Sequence, residues 1–514
     1  MCLILAAGAD TPVNVVTYKN NLSRTGENLQ ETILTPANVN AEQFGKILSF
    51  PVDGQIYAQP LYLASVPIPD KGARNVVFVA TEHNSVYAFD ADCSASDDCM
   101  LWQVNLTDSA AGETTLTPED ALNCQCITGE LGITGTPVID PSTGTLYVVS
   151  LSKAGDRGAQ IFHRLHALDV ATGAERPHSP VPIDATVPGI GGDFLEPSPV
   201  KFLPYFHKNR TGLLLLNGVV YTGWSSHCDS RSYHGWMIAF DATDLHPVSV
   251  FNTTPNANQG ALWMGGAAPA ADPQGNVYVV SGNGKFDADA NGLDFGDSVV
   301  KLSTPALALT DYFTPFNQLH LDKADIDLGS SGAVLLPDNV GSASHRHLLV
   351  TAGKEGRIYL LDRDELGHFR ADSDGQIVQS IPDAAGAVFG GPAYFNNTLY
   401  FAAANDQLKA FPIAEAHIAP TPVSQSAQVL SYPGAVPAIS ANGSSNGIVW
   451  LIEYGLAGQL HAFDAANLAN ELYNSQMNAE RDALGVTIKF SVPTIANGRV
   501  YVGTSNSLAI FGLL

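Results

Sequence analysis

The sequence predicts an all-β protein, an eight-bladed β-propeller of four-stranded antiparallel blades whose last blade is closed by an N-terminal strand. Three observations predict it. First, one phrase recurs along the chain: a strand ends in an aromatic residue or Leu, then Asp, then a turn. It stands at Tyr87-Ala-Phe-Asp90, His166-Ala-Leu-Asp169, Ile238-Ala-Phe-Asp241, Tyr359-Leu-Leu-Asp362 and His461-Ala-Phe-Asp464, with degenerate copies at Val299–Leu302, Leu408–Phe411 and Leu508–Phe511. Second, each copy follows a β-branched, aromatic-rich strand such as LYVVS, VYVVSG or VYVGTS. Self-similarity at a period that falls from roughly 80 to roughly 50 residues, with four strands per unit, is the mark of a propeller. Third, the last unit holds Ser491–Ile495, Arg499–Thr504 and Leu508–Leu513 and then the chain stops one strand short. Gly45–Val52 supplies the missing strand, which closes the ring and removes its exposed edges. The alternative is a seven-bladed ring with one long unit counted twice.

Taken in order, residues 1–42 read as a leader remnant and an extended N-terminal arm, and residues 43–514 as a single propeller domain. The start, Met1 to Ala9, is apolar and ends in small residues in an Ala-x-Ala pattern, as at the end of a trimmed secretory leader. Residues 10–42 are polar and weakly patterned, an arm lying over a larger body.

Hydrophobic residues form 45% of the 514-residue chain and charged residues 15%, so a large core is available. Against 50 Asp and Glu there are 25 Lys and Arg, a formal net charge of −25. No Lys/Arg run exists, and an acidic field repels phosphate backbones, so nucleic acid is not expected as a partner. No run of about 18 apolar residues is present, so no membrane span is expected. Cys93 and Cys99 flank one short loop and are expected to form a disulfide, and Cys228 is expected to pair with Cys124 or Cys126. These pairings suit a secreted or periplasmic protein.

The chemistry concentrates between Trp263 and Arg363. Strands Val277–Ser281 and Leu348–Ala352 each end in a polar, Gly-containing loop, the first carrying Asn283 and the second Lys354, with Asp327 between them before the apolar run Ala333–Leu336. In a propeller, the loops leading into first strands and those joining second to third strands share one face, so these residues are expected to converge around the axis.

These same residues resemble the fourth and fifth blades of quinoprotein alcohol dehydrogenases, propellers that bind pyrroloquinoline quinone and Ca²⁺. The resemblance implies that Trp263 stacks on the quinone and that Asn283, in Ser-Gly-Asn-Gly, gives its amide oxygen to calcium. It also implies that Asp327 is the catalytic carboxylate and that Lys354 contacts the quinone oxygens. Calcium would be shared with a nearby carboxylate, Asp327 or Asp229. The implied activity is oxidation of an alcohol or sugar, with Asp327 as general base and a separate electron acceptor, since no C-x-x-C-H haem-attachment motif is present.

The sequence also departs from that family. The third-blade calcium glutamate is replaced by a loop from Trp224 to Trp236 carrying His227, Asp229 and His234, of which the histidines suit a transition metal better than Ca²⁺. The family's adjacent cysteine pair is missing, and Cys124-Gln-Cys126 stands near its place. The first-blade glutamate is replaced within Tyr57-Ala-Gln59. Two other readings therefore stand beside the first. One is a non-redox carbohydrate-active lyase or hydrolase using Glu82, His83, Glu130, His227 and His234. The other is a binding or scaffold propeller without turnover.

Overall fold

The computed structural model describes residues 13–94, 98–155, 160–193, 196–230 and 232–514. The apolar start at residues 1–9 lies outside them. The chain forms eight antiparallel four-stranded blades around one axis, the strands of the first seven running outward in chain order. Blade 1 holds Leu61–Ile68, Gly72–Ala80, Ser85–Asp90 and Met100–Asn105. Blade 4 holds Ala270–Ala271, Asn276–Val280, Val299–Ser303 and Ala308–Phe313. Blade 5 holds Val334–Leu335, Leu348–Ala352, Ile358–Asp362 and Gln379–Ile381. Blades 2, 3, 6 and 7 repeat the plan, with third strands Gln160–Asp169, Trp236–Asp241, Asp406–Ala414 and Gln459–Asp464.

The repeated Asp has one physical job in all five complete copies of the phrase. Its Oδ1 accepts the backbone N–H two residues on: Asp92 on Asp90, Ala171 on Asp169, Thr243 on Asp241, Asp364 on Asp362 and Ala466 on Asp464, at 2.7–3.0 Å. This Asx turn ends each third strand and directs the chain towards the outer one. The residues before each Asp alternate across the sheet, and Phe89, Leu168, Phe240, Leu361 and Phe463 are all buried between blades.

Blade 8 is completed from the other end of the chain. Thr494–Ala496, Arg499–Gly503 and Ser507–Leu513 are joined by Phe44–Pro51, antiparallel to the last of them from Phe44 opposite Leu513 to Pro51 opposite Ser507. The ring is eight-bladed, with the N-terminal strand as its closing element.

The segment before that strand is more deeply embedded than a surface arm. Its carbonyls accept N–H groups from inner strands in succession: Val15 from Tyr62, Val16 from Ile139, Leu22 from Ala271, Ser23 from Leu335, Thr25 from Tyr394 and Gly26 from Ile439, at 2.8–2.9 Å. It thus occupies inner-strand edges that the blades themselves leave unpaired. Its polar residues are buried with it. Arg24 donates to Pro269 O at 2.9 Å and Thr17 Oγ1 at 2.7 Å, Lys19 donates to Pro392 O, and Glu31 accepts the N–H groups of Ile33, Leu34 and Gly498.

Candidate functional site

The two glycine-bounded turns and the two leading loops of blades 4 and 5 meet near the axis. Trp263 lies just before the inner strand of blade 4 and Asp327 just before that of blade 5, each opening a single helical turn. Asn283 and Lys354 lie between second and third strands of the same blades. Gly356, at φ 75°, closes the Lys354 turn, a left-handed conformation that suits glycine. Gly282 lets the loops touch: a Cβ there would stand 2.5 Å from Asp327 Oδ1 and 3.2 Å from Trp263 Nε1.

Asp327 is held at both oxygens. Oδ1 accepts the backbone N–H of Asn283 at 2.9 Å, and Oδ2 lies 2.5 Å from Lys354 Nζ. Lys354 also reaches Asp325 Oδ1 at 2.8 Å and stands over the Trp263 ring, 5.8 Å from its centroid. Burial pulls the Lys354 ammonium down, but the carboxylates of Asp327 and Asp325 outweigh it and hold its pKa above the ordinary lysine value. Behind Asp327 lies Asp297, fully buried, whose Oδ1 accepts the Leu328 N–H at 3.0 Å. Burial, with the charge of Asp327 next, raises its pKa well above the carboxylate range.

Trp263, Asp327 and Lys354 line a cavity of about 220 Å³, just under the roughly 300–1,000 Å³ of small-molecule sites. Its other walls come from around the ring: Asp229 and the sulfurs of Cys124, Cys126 and Cys228, the aromatic rings of Tyr57, Phe389, Tyr432 and Phe490, and the cations Lys208, Arg210 and Lys489. Among the described residues these three cations make no ion pair. Arg210 lies over the rings of Tyr57 and Phe490, 5.3 Å from each centroid, and Lys489 lies 5.7 Å from that of Phe490. Burial lowers the pKa of all three, that of Lys208 to about 8. Lys208 and Arg210 are buried and Lys489 is half-buried, and cations so placed without a carboxylate partner favour an anion in the space between them.

This cationic cluster is absent from the linear sequence. Lys208 and Arg210 come from blade 3, and Lys489 from the loop before blade 8, so the ring alone brings them together. One local signal existed: Lys208 and Arg210 alternate at period two beside the apolar run Leu213–Leu216, which puts both on one side of a strand.

The residues fit an aromatic anion better than they fit Ca²⁺. Asn283 Oδ1 is buried with no hydrogen-bond partner, but Asn283, unlike Trp263, Asp327 and Lys354, is not among the described residues lining the cavity. Asp327, however, has Lys354 on one oxygen and an N–H on the other. Asp229 Oδ1 accepts the Tyr233 hydroxyl at 2.5 Å and that of Ser226 at 3.2 Å. The oxygens left over, Asn283 Oδ1 and Asp229 Oδ2, are far short of the six to eight that calcium takes, and the cation beside Asp327 is the ammonium of Lys354.

The second set of candidate residues is not gathered at this cavity. Glu82 is buried and accepts Gly132 N–H and Thr134 Oγ1–H, both at 2.7 Å, a structural link between blades 1 and 2. His83 pairs with Glu130, both about 40% exposed. His227 and His234 are buried within blade 3, where burial depresses both imidazoles, His234 to about 4, and His234 Nδ1 lies 3.1 Å from Thr254 O. No histidine is among the described residues lining the cavity.

Cys93 and Cys99 form the expected disulfide, and Cys228 pairs with Cys124, leaving Cys126 as a thiol.

No protein-family profile and no curated protein matches the sequence. Solved structures do. A quinohemoprotein alcohol dehydrogenase from Pseudomonas putida HK5 is similar over 98% of this chain and 80% of its own, at 14% identity and a TM-score of 0.63. A europium-containing methanol dehydrogenase is similar over 98% of both chains, at 14% identity and 0.61. BamB from Moraxella catarrhalis is similar over 91% of this chain and 97% of its own, at 14% identity and 0.50. At this identity the similarities show the fold: this chain has the propeller architecture of quinoprotein dehydrogenases. No helix among the described residues is long and apolar enough to cross a membrane.

Proposed function

We propose that the axial cavity binds a planar, polyanionic quinone of the pyrroloquinoline quinone type and that the protein is an oxidoreductase acting on an alcohol or sugar. The observation that carries this reading is the convergence, in one cavity, of an aromatic floor at Trp263, three unpaired cations at Lys208, Arg210 and Lys489, and the Asp327–Lys354 pair. Carboxylates of the ligand would meet the three cations, whose burial without partners then becomes favourable. Lys354 would hold the oxygen-bearing edge near Trp263, the place that calcium takes in the family the sequence resembles. When bound, the quinone supplies the two-electron acceptor. Asp327 would take the hydroxyl proton of the substrate, a general-base contribution of about 10²–10⁴-fold. The buried acid Asp297 fixes the loop on which Asp327 stands, through the Leu328 N–H. Electrons leave to a separate acceptor. The two disulfides support a reading in which the protein works in an oxidising compartment, secreted or periplasmic.

The test is dye reduction by the protein after addition of pyrroloquinoline quinone, across alcohols and aldose sugars, with and without Ca²⁺. Quinone binding and substrate-dependent dye reduction without added Ca²⁺ support the reading. Quinone binding with no turnover on any substrate would mark a binding propeller instead.

A further inference from the structure

We propose that the cavity wall carries a thiol–disulfide exchange site in which Cys126 displaces Cys124 from Cys228. Three sulfurs meet where the second and third blades adjoin. Cys124 and Cys228 are joined, and the free Sγ of Cys126 lies 2.9 Å from Sγ of Cys228. All three Sγ atoms fall within 4.8 Å of one another. This is a thiol against a disulfide rather than an isolated cysteine, and the closest sulfur is the one that both partners can share. Access favours the reaction too: Cys126 and Cys228 are exposed, whereas Cys124 is 6% exposed. Lys208, Arg210 and Lys489 line the same cavity.

The exchange balances without an oxidant or reductant. The Cys126 thiol loses its proton to solvent, its thiolate attacks Cys228 Sγ, and the Cys124–Cys228 bond breaks as the Cys126–Cys228 bond forms. Cys124 leaves as thiolate and takes up a proton, so one thiol and one disulfide remain throughout. The backbone is placed for two states. Leu122 and Asn123 on one side and Cys228 and Asp229 on the other hold positive φ, between 49° and 61°, conformations that a shift of linkage could release. Exchanging Cys124 for Cys126 moves the anchor of the loop by two residues and remakes the wall between Ile127 and Asp229. Any ligand that prefers one wall then biases the connectivity, and the connectivity biases the ligand by the same factor. This inference rests on the sulfur geometry and is independent of which ligand the cavity takes.

The experiment uses the full-length wild-type protein, with no added thiol, held at a series of pH values from mildly acid to mildly alkaline. Samples are quenched in acid over time, labelled with a maleimide in denaturant, digested with pepsin without reduction, and the label is located by tandem mass spectrometry. The expected result is label divided between Cys124 and Cys126, with the approach to that ratio quickening about tenfold per pH unit below the thiol's titration. Label confined to Cys126 at every pH and time, or label on Cys228, would overturn the proposal. A Cys124→Ser variant, held with oxidised glutathione as the two-electron oxidant, gives a second reading: it should form Cys126–Cys228 and show no free thiol at Cys228, and a titratable Cys228 in the folded variant counts against exchange.

Discussion

Lys354 Nζ lies 2.5 Å from Asp327 Oδ2, and the same ammonium stands 5.8 Å from the centroid of the Trp263 ring. The two charged groups reach each other from different corners of blade 5, one from the loop before its first strand and one from the turn after its second. A carboxylate, an ammonium and an indole at one cavity wall can hold a polar aromatic ligand and move a proton beside it.

Asp327→Asn keeps an oxygen able to accept the Asn283 N–H but removes the base and the charge opposite Lys354. Dye reduction should fall by about 10²–10⁴-fold, while quinone binding stays within a few-fold of wild type. Equal loss of binding and turnover would mean that the residue holds the ligand and does no proton transfer.

Lys354→Met and Lys489→Met separate the two ends of the cavity. Each removes a charge-assisted contact worth roughly 1.5–3 kcal/mol, so each should weaken quinone binding by about 10- to 150-fold. Only Lys354→Met should also lower turnover at saturating quinone, because only Lys354 touches Asp327. Fluorescence titration for affinity and saturated rates for turnover distinguish them.

Glu31 ties the N-terminal segment to the closing blade, its side chain accepting Ile33 N–H at 2.8 Å and Leu34 and Gly498 N–H at 3.0 Å. Glu31→Ala leaves two buried donors, Leu34 and Gly498 N–H, and the part-buried Ile33 N–H without an acceptor and should lower unfolding stability by roughly 2–3 kcal/mol, with Glu31→Gln recovering part of it. Denaturant unfolding that gives Glu31→Ala the wild-type midpoint would show that the segment contributes nothing to closure.

The buried imidazoles of His163 in blade 2 and of His207 and His234 in blade 3 set a pH limit. Burial depresses His163 to about 4, His207 to about 3 and His234 to about 4, against about 6.5 in the unfolded chain. Between those values the unfolded chain binds protons that the folded one refuses. Their stability contribution is therefore complete above about pH 6.5 and declines as pH falls towards 4, by about 1 kcal/mol per pH unit for each imidazole. His461 opposes this: burial lowers it, but Glu453 and Glu471 raise it further, so its own contribution fades as pH rises. His227 is depressed likewise, whereas the acids Glu27, raised by burial to about 7, and Asp297 work the other way in this window. The imidazole contribution is therefore read as the part of the pH dependence of the melting temperature between about pH 6.5 and 4 that His234→Gln removes. NMR signals showing the imidazoles of His163, His207 and His234 protonated near pH 6 in the folded protein would contradict this.

What could be read from the sequence was what local chemistry decides. The Asx turn at Asp90, Asp169, Asp241, Asp362 and Asp464 uses atoms two residues apart, so it leaves a repeated phrase and reveals the blades. Trp263, Asn283, Asp327 and Lys354 sit at strand ends, and the ring places such ends on one face. The rest was set by partners distant along the chain. Lys208, Arg210 and Lys489 become a cluster only once the ring closes. Lys19 and Arg24 looked like surface residues of a polar arm, yet their partners are the Pro392 and Pro269 carbonyls of inner blade edges. His227 and His234 carried metal-ligand chemistry in the sequence, and packing within blade 3 takes them away from the cavity.

The most direct test of the central claim is calorimetric titration of the purified protein with pyrroloquinoline quinone in a calcium chelator, repeated with added Ca²⁺. The proposed assignment predicts one site per chain, saturable without calcium and strengthened little by it. No binding in either buffer, or binding that appears only with Ca²⁺, would contradict the assignment of the cavity to an anionic quinone held by Lys208, Arg210, Lys489 and Lys354.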